Sequence, residues 1–452
     1  MSSDSPACVE LRQRVPPSWD VQPLYAVTDF QEGPGILAKD FKDSGVPLLR
    51  LRNIEGSTVQ LAGCNYLDEE RVASKWKHFE LKQGDLLIST SASLGRVSVV
   101  GAEAVGAVAY TGIIRFRSNS GFLHHEYLRA FLSSRAFVEQ AERMATGSVI
   151  KHFGPSHLRQ MAITLPSLRE QVQIAELFDA LDERIMVLRE TNATLEAISK
   201  ALFKSWFVDF DPVRAKQEGR APEGMDEGTA ALFPDGFEES GLGLVPKGWR
   251  AGSVYSLANF INGASYKAFE PNAERRGLPI VKIAELKSGI TAQTAFSDLE
   301  MPEKYQLNSG DILFSWSGNP GTSIDTFVWS HDQALLNQHI FKVVPSTIED
   351  RSFVLLALKH LKPVFTELAR NKQTTGLGHV TVADLKRLQV VKPDSGLLAV
   401  WNEVISTIVD QAFAAMQQAH TLSALRDSLL PRLISGQLRL AETEAVVALG
   451  PT

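Results

Sequence analysis

Two patterns of apolar residues alternate along this chain. In the first, short apolar runs are separated by turns that contain Gly and Asn, which is typical of β-strands. The predicted strands are Val46–Leu51, Leu86–Ser89, Val97–Val100, Ile280–Ile283, Ile312–Phe314 and His339–Val344. A helical stretch follows each set of strands, over Glu126–Met144 and Phe353–Arg370. Each half of the chain is therefore predicted to form a mixed α and β domain.

The same domain is predicted to occur twice, because short strings recur in the same order at a nearly constant offset. Val15-Pro16-Pro17-Ser18-Trp19 returns as Val245-Pro246-Lys247-Gly248-Trp249, which is 230 residues later. The other recurring strings are Gly45–Arg50 with Gly277–Lys282, Gly84–Leu87 with Gly310–Leu313, and Thr146-Gly147 with Thr375-Gly376. A period of this length is too long for a solenoid and indicates a duplicated domain.

The second pattern is a heptad repeat over Leu168–Phe207, a segment without Gly or Pro. Its seam positions follow one another in alternating steps of four and three, which predicts a long helix that packs along one stripe. The seam consists of Ile174, Phe178, Leu181, Ile185, Leu188, Asn192, Leu195, Ser199, Leu202 and Trp206. A helix of this length extends about 60 Å at about 1.5 Å per residue. Asn192 is either a buried residue that sets the register or a residue of a helix end or a partly wet seam.

A second heptad seam covers Leu397–Leu433. Its positions are Ile405, Ile408, Ala412, Ala415, Ala419 and Leu422, after which the phase slips toward Leu425 and Leu429. Small alanines suit a closely packed partner helix with larger side chains, such as Phe178, Leu188 and Leu195 of the first seam. We therefore expect an intramolecular antiparallel coiled coil. The alternative is that each helix packs on its own domain.

The net charge of −6 by itself argues against binding to nucleic acid, but the distribution of charge along the chain changes this conclusion. The two repeated regions, residues 1–165 and 246–396, carry net charges of +1 and +3. The segments 166–245 and 397–452 carry −8 and −2. This distribution is compatible with two DNA-facing modules on an acidic frame, in which phosphate neutralisation by this chain alone is modest.

The composition indicates an intracellular protein. Cys8 and Cys64 have no metal-ligand spacing and are expected to be reduced thiols. No run of about 18 apolar residues is present, so no membrane span is expected. The first residues lack the apolar core of a signal peptide, and a cytoplasmic location is therefore expected.

The sequence offers little that supports catalysis, and we predict no catalytic residue and no metal ligand in this chain. It contains no G-x-x-x-x-G-K-[ST] phosphate loop. Glu80-Leu81-Lys82 and Glu285-Leu286-Lys287 have the E-x-K spacing of some nucleases, but they do not occupy equivalent positions of the repeat. His124-His125 lies near no Cys or acid in ligand spacing.

Three strings carry a resemblance to a known family. Leu165–Gln171, with the letters LPSLREQ, opens the first long helix, and Ala201–Phe210, with the letters ALFKSWFVDF, closes it. Leu425–Leu438, with the letters LRDSLLPRLISGQL, closes the second. Together with the VP-x-x-W start of each half, these strings resemble the specificity subunit of type I restriction–modification systems, over essentially the whole chain to about residue 440. The opening string has no good copy before Leu397.

The resemblance implies an α+β fold, in which two similar mixed α/β target-recognition domains are joined by two long helices in an antiparallel coiled coil with pseudo-twofold symmetry. The expected organisation is target-recognition domain 1 over 1–165, a central conserved helix over 166–210, a linker over 211–245, target-recognition domain 2 over 246–396, a distal conserved helix over 397–440 and a tail over 441–452. The helices are expected to act as a ruler between the two half-sites of a bipartite DNA sequence.

The resemblance also implies the partners. They are double-stranded DNA, two methyltransferase subunits that methylate adenine at N6, and in some systems two motor–nuclease restriction subunits. No cofactor is expected on this chain, whereas S-adenosylmethionine, ATP and Mg²⁺ are expected on the partner subunits.

The residues expected to contact DNA lie in polar loops that follow strands or contain glycine, where side chains and backbone can reach phosphates or base edges. In the first domain they are Ser89, Ser91, Ser93, Arg96, Thr111, Ser148, Lys151 and His152. In the second domain they are Trp316, Ser317, Asn319, Asn337, Gln338, Lys372, Gln373, Thr374 and His379. The residues expected to dock the methyltransferase are Lys204, Trp206, Phe207, Arg426, Leu429 and Arg432, with packing between the two helices as the alternative for Trp206.

Two other functions remain open at this point. One is an adaptor whose duplicated domains bind protein or glycan without catalysis. The other is a nuclease or methyltransferase with a site that has no recognisable motif. Salt-dependent binding to a two-part DNA site distinguishes the specificity subunit from both.

Overall fold

The computed structural model describes residues 6–90, 96–144, 154–373 and 377–440. The chain divides into two compact units. Unit 1 comprises Met1–Ile185 and Thr421–Thr452, and unit 2 comprises Met186–His420. The predictions for Ser91, Ser93, Ser148, Lys151, His152 and Thr374, and for the tail, lie outside the described residues.

Unit 1 is a mixed α and β unit. Its strands are β1 Asp20–Pro23, β2 Thr28–Glu32, β3 Phe41–Lys42, β4 Val46–Leu49, β5 Asn65–Leu67, β6 Leu86–Ser89, β7 Val97–Val99, β8 Val108–Ala109, β9 Ile113–Ser118 and β10 Ala162–Leu165. Its shorter helices are α1 Pro6–Arg12, α2 Leu24–Val27, α3 Glu69–Arg71, α4 His125–Ser133, α5 Arg135–Met144 and α6 Pro155–Leu158. The first long helix, α7 Leu168–Phe207, begins in unit 1 and ends in unit 2.

Unit 2 has the same kinds of elements. Its strands are β11 Phe237–Ser240, β12 Gly243–Pro246, β13 Arg250–Ser253, β14 Ala258–Asn262, β15 Leu278–Val281, β16 Phe296–Ser297, β17 Gln306–Leu307, β18 Ile312–Ser315, β19 Ser317–Gly318, β20 Asp325–Val328, β21 Ala334–Leu336, β22 Ile340–Pro345, β23 Gly378–His379 and β24 Gln389–Lys392. Its helices are α8 Asp211–Gln217, α9 Glu227–Ala231, α10 Ile283–Ser288, α11 Asp350–His360, α12 Lys362–Asn371 and α13 Val382–Arg387. The second long helix, α14 Ser395–Ile434, begins in unit 2 and ends in unit 1.

The duplication predicted from the sequence is present in the strand topology. The antiparallel sheet of unit 1 has the order β2-β9-β6-β7, and that of unit 2 has the order β14-β22-β18-β20. Among the described residues, each unit also contains a parallel pair of strands, β4 with β8 and β15 with β21. The first and last strands of each domain pair antiparallel, β1 with β10 and β13 with β24. The VP-x-x-W strings precede β1 and β13, and both Trp19 and Trp249 are buried.

Each of the two shorter helical stretches predicted from the sequence, Glu126–Met144 and Phe353–Arg370, is divided into two helices. In unit 1 the break is at Ser134, which has an extended backbone, and its Oγ accepts a hydrogen bond from the N–H of Phe137 in the next helix. In unit 2 the break is at Leu361, and Pro363 lies in the first turn of α12. A serine that caps the next helix and a proline in the first helical turn are common at helix starts, and they divide an otherwise continuous apolar pattern.

The segment 211–245 is not the plain linker that its Gly, Pro and acid content predicts. It contains α8, α9 and the hairpin of β11 and β12. Val213 and Phe233 are buried in the core of unit 2, and the ring centroid of Phe233 lies 5.2 Å from that of Trp206. A few well-placed apolar side chains are therefore enough to fix this segment to the unit.

Inside unit 1, the first turns of α7 pack against the last turns of α14 in antiparallel fashion. Ile174 and Phe178 share one core with Leu430, Leu433 and Ile434. Next to this core, Thr164 Oγ1 donates a hydrogen bond to the main-chain carbonyl of Ile434 at 2.8 Å. The core of unit 1 therefore contains residues from both ends of the chain.

Inside unit 2, the end of α7 packs against the start of α14. Trp206 and Phe207 lie 5.1 and 4.8 Å from Trp401, measured between ring centroids. The predicted seam positions Ala412, Ala415 and Ala419 are buried, which confirms the seam in this part of α14. Asn192 is half-buried and lines a cavity of about 230 Å³, so its side chain is not fully enclosed in the seam.

The phase slip predicted near the end of α14 occurs at a different position, since Arg426 and Leu430 follow Leu422 in two successive steps of four and Leu433 then follows in a step of three. Leu425 is 43% exposed, whereas Leu430 and Leu433 are buried. The steps of three and four continue through Leu422 to Arg426, whose guanidinium pairs with Asp182 of α7. A charged residue occupies the seam at this point because the facing helix supplies a carboxylate.

Candidate nucleic-acid interface

A polar turn after the parallel pair is built in the same way in both units. In unit 1, Tyr110–Gly112 follows β8, and the Tyr110 N–H donates to the carbonyl of Leu49 at 2.9 Å. In unit 2, Asn337–His339 follows β21, and the Asn337 N–H donates to the carbonyl of Val281 at 3.2 Å. Thr111 and Gln338 therefore occupy equivalent positions, as the sequence alignment of these turns predicts.

A glycine fixes each turn by close backbone contact. A Cβ added to Gly33 would lie 2.0 Å from the carbonyl oxygen of Ala109, and one added to Gly263 would lie 2.2 Å from that of Asn337. Gly33 and Gly263 are 230 residues apart, the same offset as the VP-x-x-W strings. This recurrence was available in the sequence and was missed, because a single glycine is a weak signal by itself.

Glu32 is the last residue of β2 and Asn262 is the last residue of β14, and each contacts a predicted DNA-binding residue of its unit. Neither Glu32 nor Asn262 was predicted as a site residue. In unit 1, Glu32 accepts hydrogen bonds from Thr111 Oγ1 at 3.3 Å and from the Gly112 N–H at 3.1 Å. In unit 2, Asn262 Oδ1 accepts from Trp316 Nε1 at 3.1 Å. These contacts connect the first strand of the sheet to the predicted reading residues.

Trp316 is the centre of an aromatic and amide cluster in unit 2. Its ring lies 5.6 Å from His339 and 5.8 Å from Phe341. Gln338 Nε2 lies 3.3 Å from His339 Nε2. Among the predicted residues, Gln338 and Trp316 are half-buried, whereas Asn337 is buried beneath them. Burial makes Asn337 a scaffold residue of the turn instead of a side chain that reads bases.

The two candidate loops of unit 2 come together as a short antiparallel ladder. Ser317 of β19 pairs with His379 of β23. Asn319 is exposed, and its Oδ1 accepts from the Gly321 N–H at 3.0 Å, which closes a turn. Gln373 is exposed. The structure therefore places Ser317, Asn319 and His379 in one polar region.

Lys372 has a structural contact in place of the predicted DNA contact. Its Nζ lies 2.5 Å from Oδ2 of Asp384, a buried carboxylate that also accepts from Thr381 Oγ1 at 2.7 Å and caps α13. Burial raises the pKa of Asp384, but the hydrogen bonds from Lys372 and Thr381 outweigh this effect and lower it to about 2. The Lys372 ammonium is therefore bound to a carboxylate of its own unit.

The described candidates of unit 1 differ in accessibility. Ser89 is buried at the end of β6, which does not suit the DNA contact predicted for its side chain. Its neighbour Thr90 donates its N–H to the carbonyl of Gly112 at 2.9 Å, as Trp316 does to His339 at 3.3 Å in unit 2. Arg96 and Thr111 are exposed.

Most of the predicted docking residues have side-chain contacts inside the chain. Trp206 and Phe207 are buried in the core of unit 2, so packing replaces the docking role predicted for them. Arg426 pairs with Asp182 in unit 1, and Leu429 is half-buried against the core of that unit. Lys204 and Arg432 are exposed, and Lys204 pairs with Asp209.

Within the described part of the chain, no group of three or more His, Cys, Asp or Glu side chains is arranged to hold a metal ion. No helix among these residues is long and apolar enough to cross a membrane.

Comparison with known proteins identifies a family. The model of the type I restriction modification DNA specificity domain matches this chain twice, over residues 18–197 and 246–422. The chain is 21% identical over 438 residues to the type I restriction enzyme MjaIX specificity subunit of Methanocaldococcus jannaschii, with 95% of each chain covered. It is 23% identical over 406 residues to the HindI specificity subunit of Haemophilus influenzae, with 79% of this chain and 87% of the relative covered.

A solved structure has a similar fold. The crystal structure of the S subunit of a type I restriction–modification system from M. genitalium aligns with a TM-score of 0.50 at 15% identity, over 93% of this chain and 96% of that one. The duplicated topology, the two long helices and the double match to the family model agree with one another. This chain belongs to the family of type I restriction modification DNA specificity domains.

Proposed function

We propose that this chain reads a two-part DNA sequence, with one half read by each unit. The observation that carries the proposal is the duplicated turn, which presents different side chains from equivalent backbone positions. Thr111 corresponds to Gln338, and Gly112 corresponds to His339. Because base recognition depends on the donors and acceptors of the side chain, the two units are expected to read different half-sites.

The target is identified by co-expression of this chain with the methyltransferase subunit of its own system. Genome-wide mapping of methylated adenine is expected to give one two-part motif with a fixed spacer. Replacement of residues 1–165 by the first domain of another specificity subunit should change one half of the motif and leave the other. A motif that changes in both halves, or does not change, contradicts the assignment of one half to each unit.

The outer faces of the long helices support docking of partner helices on unit 2. On α7, exposed positions in steps of four and three are Val187, Thr191, Thr194, Ile198 and Ala201. On α14, exposed positions with the same spacing are Val404, Thr407, Gln411, Ala414 and Gln418. None of these residues is charged. An exposed, uncharged heptad stripe is suited to pack against a further helix.

The proposed occupant of these stripes is a helix of the methyltransferase subunit. The double variant Thr194→Glu with Ile198→Glu places two charges on the α7 stripe and is expected to abolish co-purification of the methyltransferase. The control is Ile348→Glu, which charges a 67% exposed apolar residue of the same unit outside the long helices. Equal co-purification of the stripe variant and the control contradicts docking at this stripe.

Catalysis is proposed to belong to the partner subunits. These are two methyltransferase subunits that use S-adenosylmethionine to methylate adenine, with two motor–nuclease subunits that use ATP and Mg²⁺ where restriction is present. The assembly would act on DNA in the cytoplasm. The purified chain alone, given Mg²⁺ and S-adenosylmethionine, is expected neither to cleave nor to methylate DNA. Cleavage or methylation of DNA by the chain after complete removal of the partner subunits would support the alternative that the chain is itself an enzyme.

A further inference from the structure

Arg50 and Lys282 occupy the same place in the two units. Each follows the parallel strand of its unit, β4 or β15, at the end that supports the polar turn. The Arg50 N–H donates to Asn53 Oδ1 at 2.8 Å, and the Lys282 N–H donates to Glu285 Oε2 at 3.0 Å. The two backbones are therefore fixed by the same capping contact, next to Tyr110 and Asn337.

Both cations lie over an aromatic ring. The guanidinium carbon of Arg50 is 5.8 Å from the ring centroid of Tyr110, and Nζ of Lys282 is 5.3 Å from that of Tyr266. The two tyrosines come from different segments of their units, a turn in unit 1 and a short helical turn in unit 2. The same arrangement is thus reached with different neighbouring residues, and it holds the positive charge at the surface.

A second pair of equivalent cations has a different environment. Arg115 and Lys342 face Leu87 and Leu313 in matching sheet registers. Arg115 pairs with Asp29 at 2.7 Å, and Lys342 pairs with Asp311 at 2.9 Å. In contrast, neither Arg50 nor Lys282 forms an ion pair with a carboxylate among the residues that the structure describes. Their charges remain available to an external anion.

We propose that Arg50 and Lys282 are duplicated phosphate contacts, one for each half-site; this inference rests on the proposed function. Arg and Lys share a positive charge but differ in hydrogen-bond geometry. A ligand that is bound by Arg in one unit and by Lys in the other is therefore recognised by its negative charge. The phosphate backbone is the part of the duplex that is the same at both half-sites. The neighbouring positions that differ between the units, Thr111 and Gln338, are then the ones that read bases.

The test is the salt dependence of binding by the full chain to a mixed-sequence duplex of about 40 base pairs, between about 50 and 200 mM KCl. The slope of log affinity against log salt should become shallower by about 0.9 in Arg50→Ala and in Lys282→Ala, and by about 1.8 in the double variant. Arg50→Lys and Lys282→Arg should keep the wild-type slope. The control is Lys75→Ala, because Lys75 also lies over an aromatic ring, that of Trp76 at 5.3 Å, and is exposed.

The outcomes separate this inference from the proposed function. Unchanged slopes in both alanine variants, or an equal change in Lys75→Ala, overturn the duplicated phosphate contact while the wild type still binds. Relaxed sequence preference in Arg50→Lys at one position of the methylated motif overturns it in favour of base reading. A wild-type chain whose DNA binding does not depend on salt overturns the proposed function itself.

Discussion

Arg426 Nη1 lies 2.5 Å from Asp182 Oδ1, and this pair joins the two long helices inside unit 1. Burial lowers the pKa of Arg426, but the hydrogen bond and the charge of Asp182 more than offset this effect, so its pKa stands above the ordinary value. Both side chains are about three-quarters buried, with exposed fractions of 26% and 25%. The seam between the two long helices in unit 1 therefore contains an ion pair between layers of apolar residues.

Removal of the carboxylate is expected to destabilise unit 1. Asp182→Ala leaves Arg426 partly buried without its strongest partner, and we expect a loss of about 1–3 kcal/mol in the free energy of unfolding. Asp427 also accepts from Arg426, but its side chain is 65% exposed. Asp427→Ala is the matched control and should cost less than about 0.5 kcal/mol. Equal losses in urea denaturation would show that the seam pair has no special role.

The alanine seam of α14 predicts a sharp difference between neighbouring residues. Ala415 is buried against the facing elements of unit 2, whereas Ala414 is exposed. Ala415→Leu overfills the seam and is expected to lower stability by about 1–3 kcal/mol. Ala414→Leu should change it by less than about 0.5 kcal/mol. A thermal melt of both variants decides between a close seam and a loose one.

The depressed pKa of Asp384 predicts acid sensitivity of unit 2. Because its folded pKa is about 2 and an unfolded Asp titrates near pH 3.9, the carboxylate contributes stability above about pH 4 that is lost as the pH falls toward 2. The contribution is about 2–3 kcal/mol. Asp384→Asn should be less stable than the wild type at pH 7, and the difference should shrink below about pH 4. A difference that is constant from pH 7 to pH 3 contradicts the linkage.

The close glycine contact of unit 1 can be tested with a substitution two residues away as the control. Gly33→Ala forces the new Cβ against the carbonyl of Ala109, so the turn that presents Thr111 must shift. We expect a loss of about 2 kcal/mol or more. Gly35→Ala meets no atom within 4 Å and should be neutral or slightly stabilising. The same variants assayed by adenine mapping should alter one half of the motif for Gly33→Ala and neither half for Gly35→Ala.

Gln338 is expected to contribute to one base pair of the half-site read by unit 2. Gln338→Ala should relax the motif at one position of that half, with a loss of about 1–3 kcal/mol in discrimination. Thr111→Ala should act in the same way on the other half. Relaxation of the same half by both variants would contradict their equivalence in the two units.

The sequence predicts the repeated parts of this structure well, since repetition supplies an internal comparison. The heptad positions Ile174, Phe178, Ile185 and Leu188 are all buried, and the seam alanines of α14 are buried too. Periodicity finds such positions because burial depends on which face of a helix a residue occupies. The same rule fails at Arg426, because its partner Asp182 lies 244 residues away in the chain.

The candidate site was predicted only in part, because its contacts cross between distant segments. The alignment of Thr111 with Gln338 was correct, whereas the contact of Trp316 with Asn262 has no signal in either local sequence. Lys372 was predicted to contact DNA because it stands in a polar loop with glycine, but Asp384 of the next helix pairs with it. Composition also failed for residues 211–245, where Val213 and Phe233 provide the buried anchors.

The presence of Leu430, Leu433 and Ile434 in the core of unit 1 has a consequence for biosynthesis. A ribosome releases Met1–Ile185 early, but these residues cannot complete their core until more than 200 further residues have been translated. Unit 2 is continuous in the chain and can fold in the interval. A nonsense mutation shortly after His420 would therefore spare the later-made unit and leave the earlier-made one with exposed apolar surface, as a substrate for chaperones and proteases.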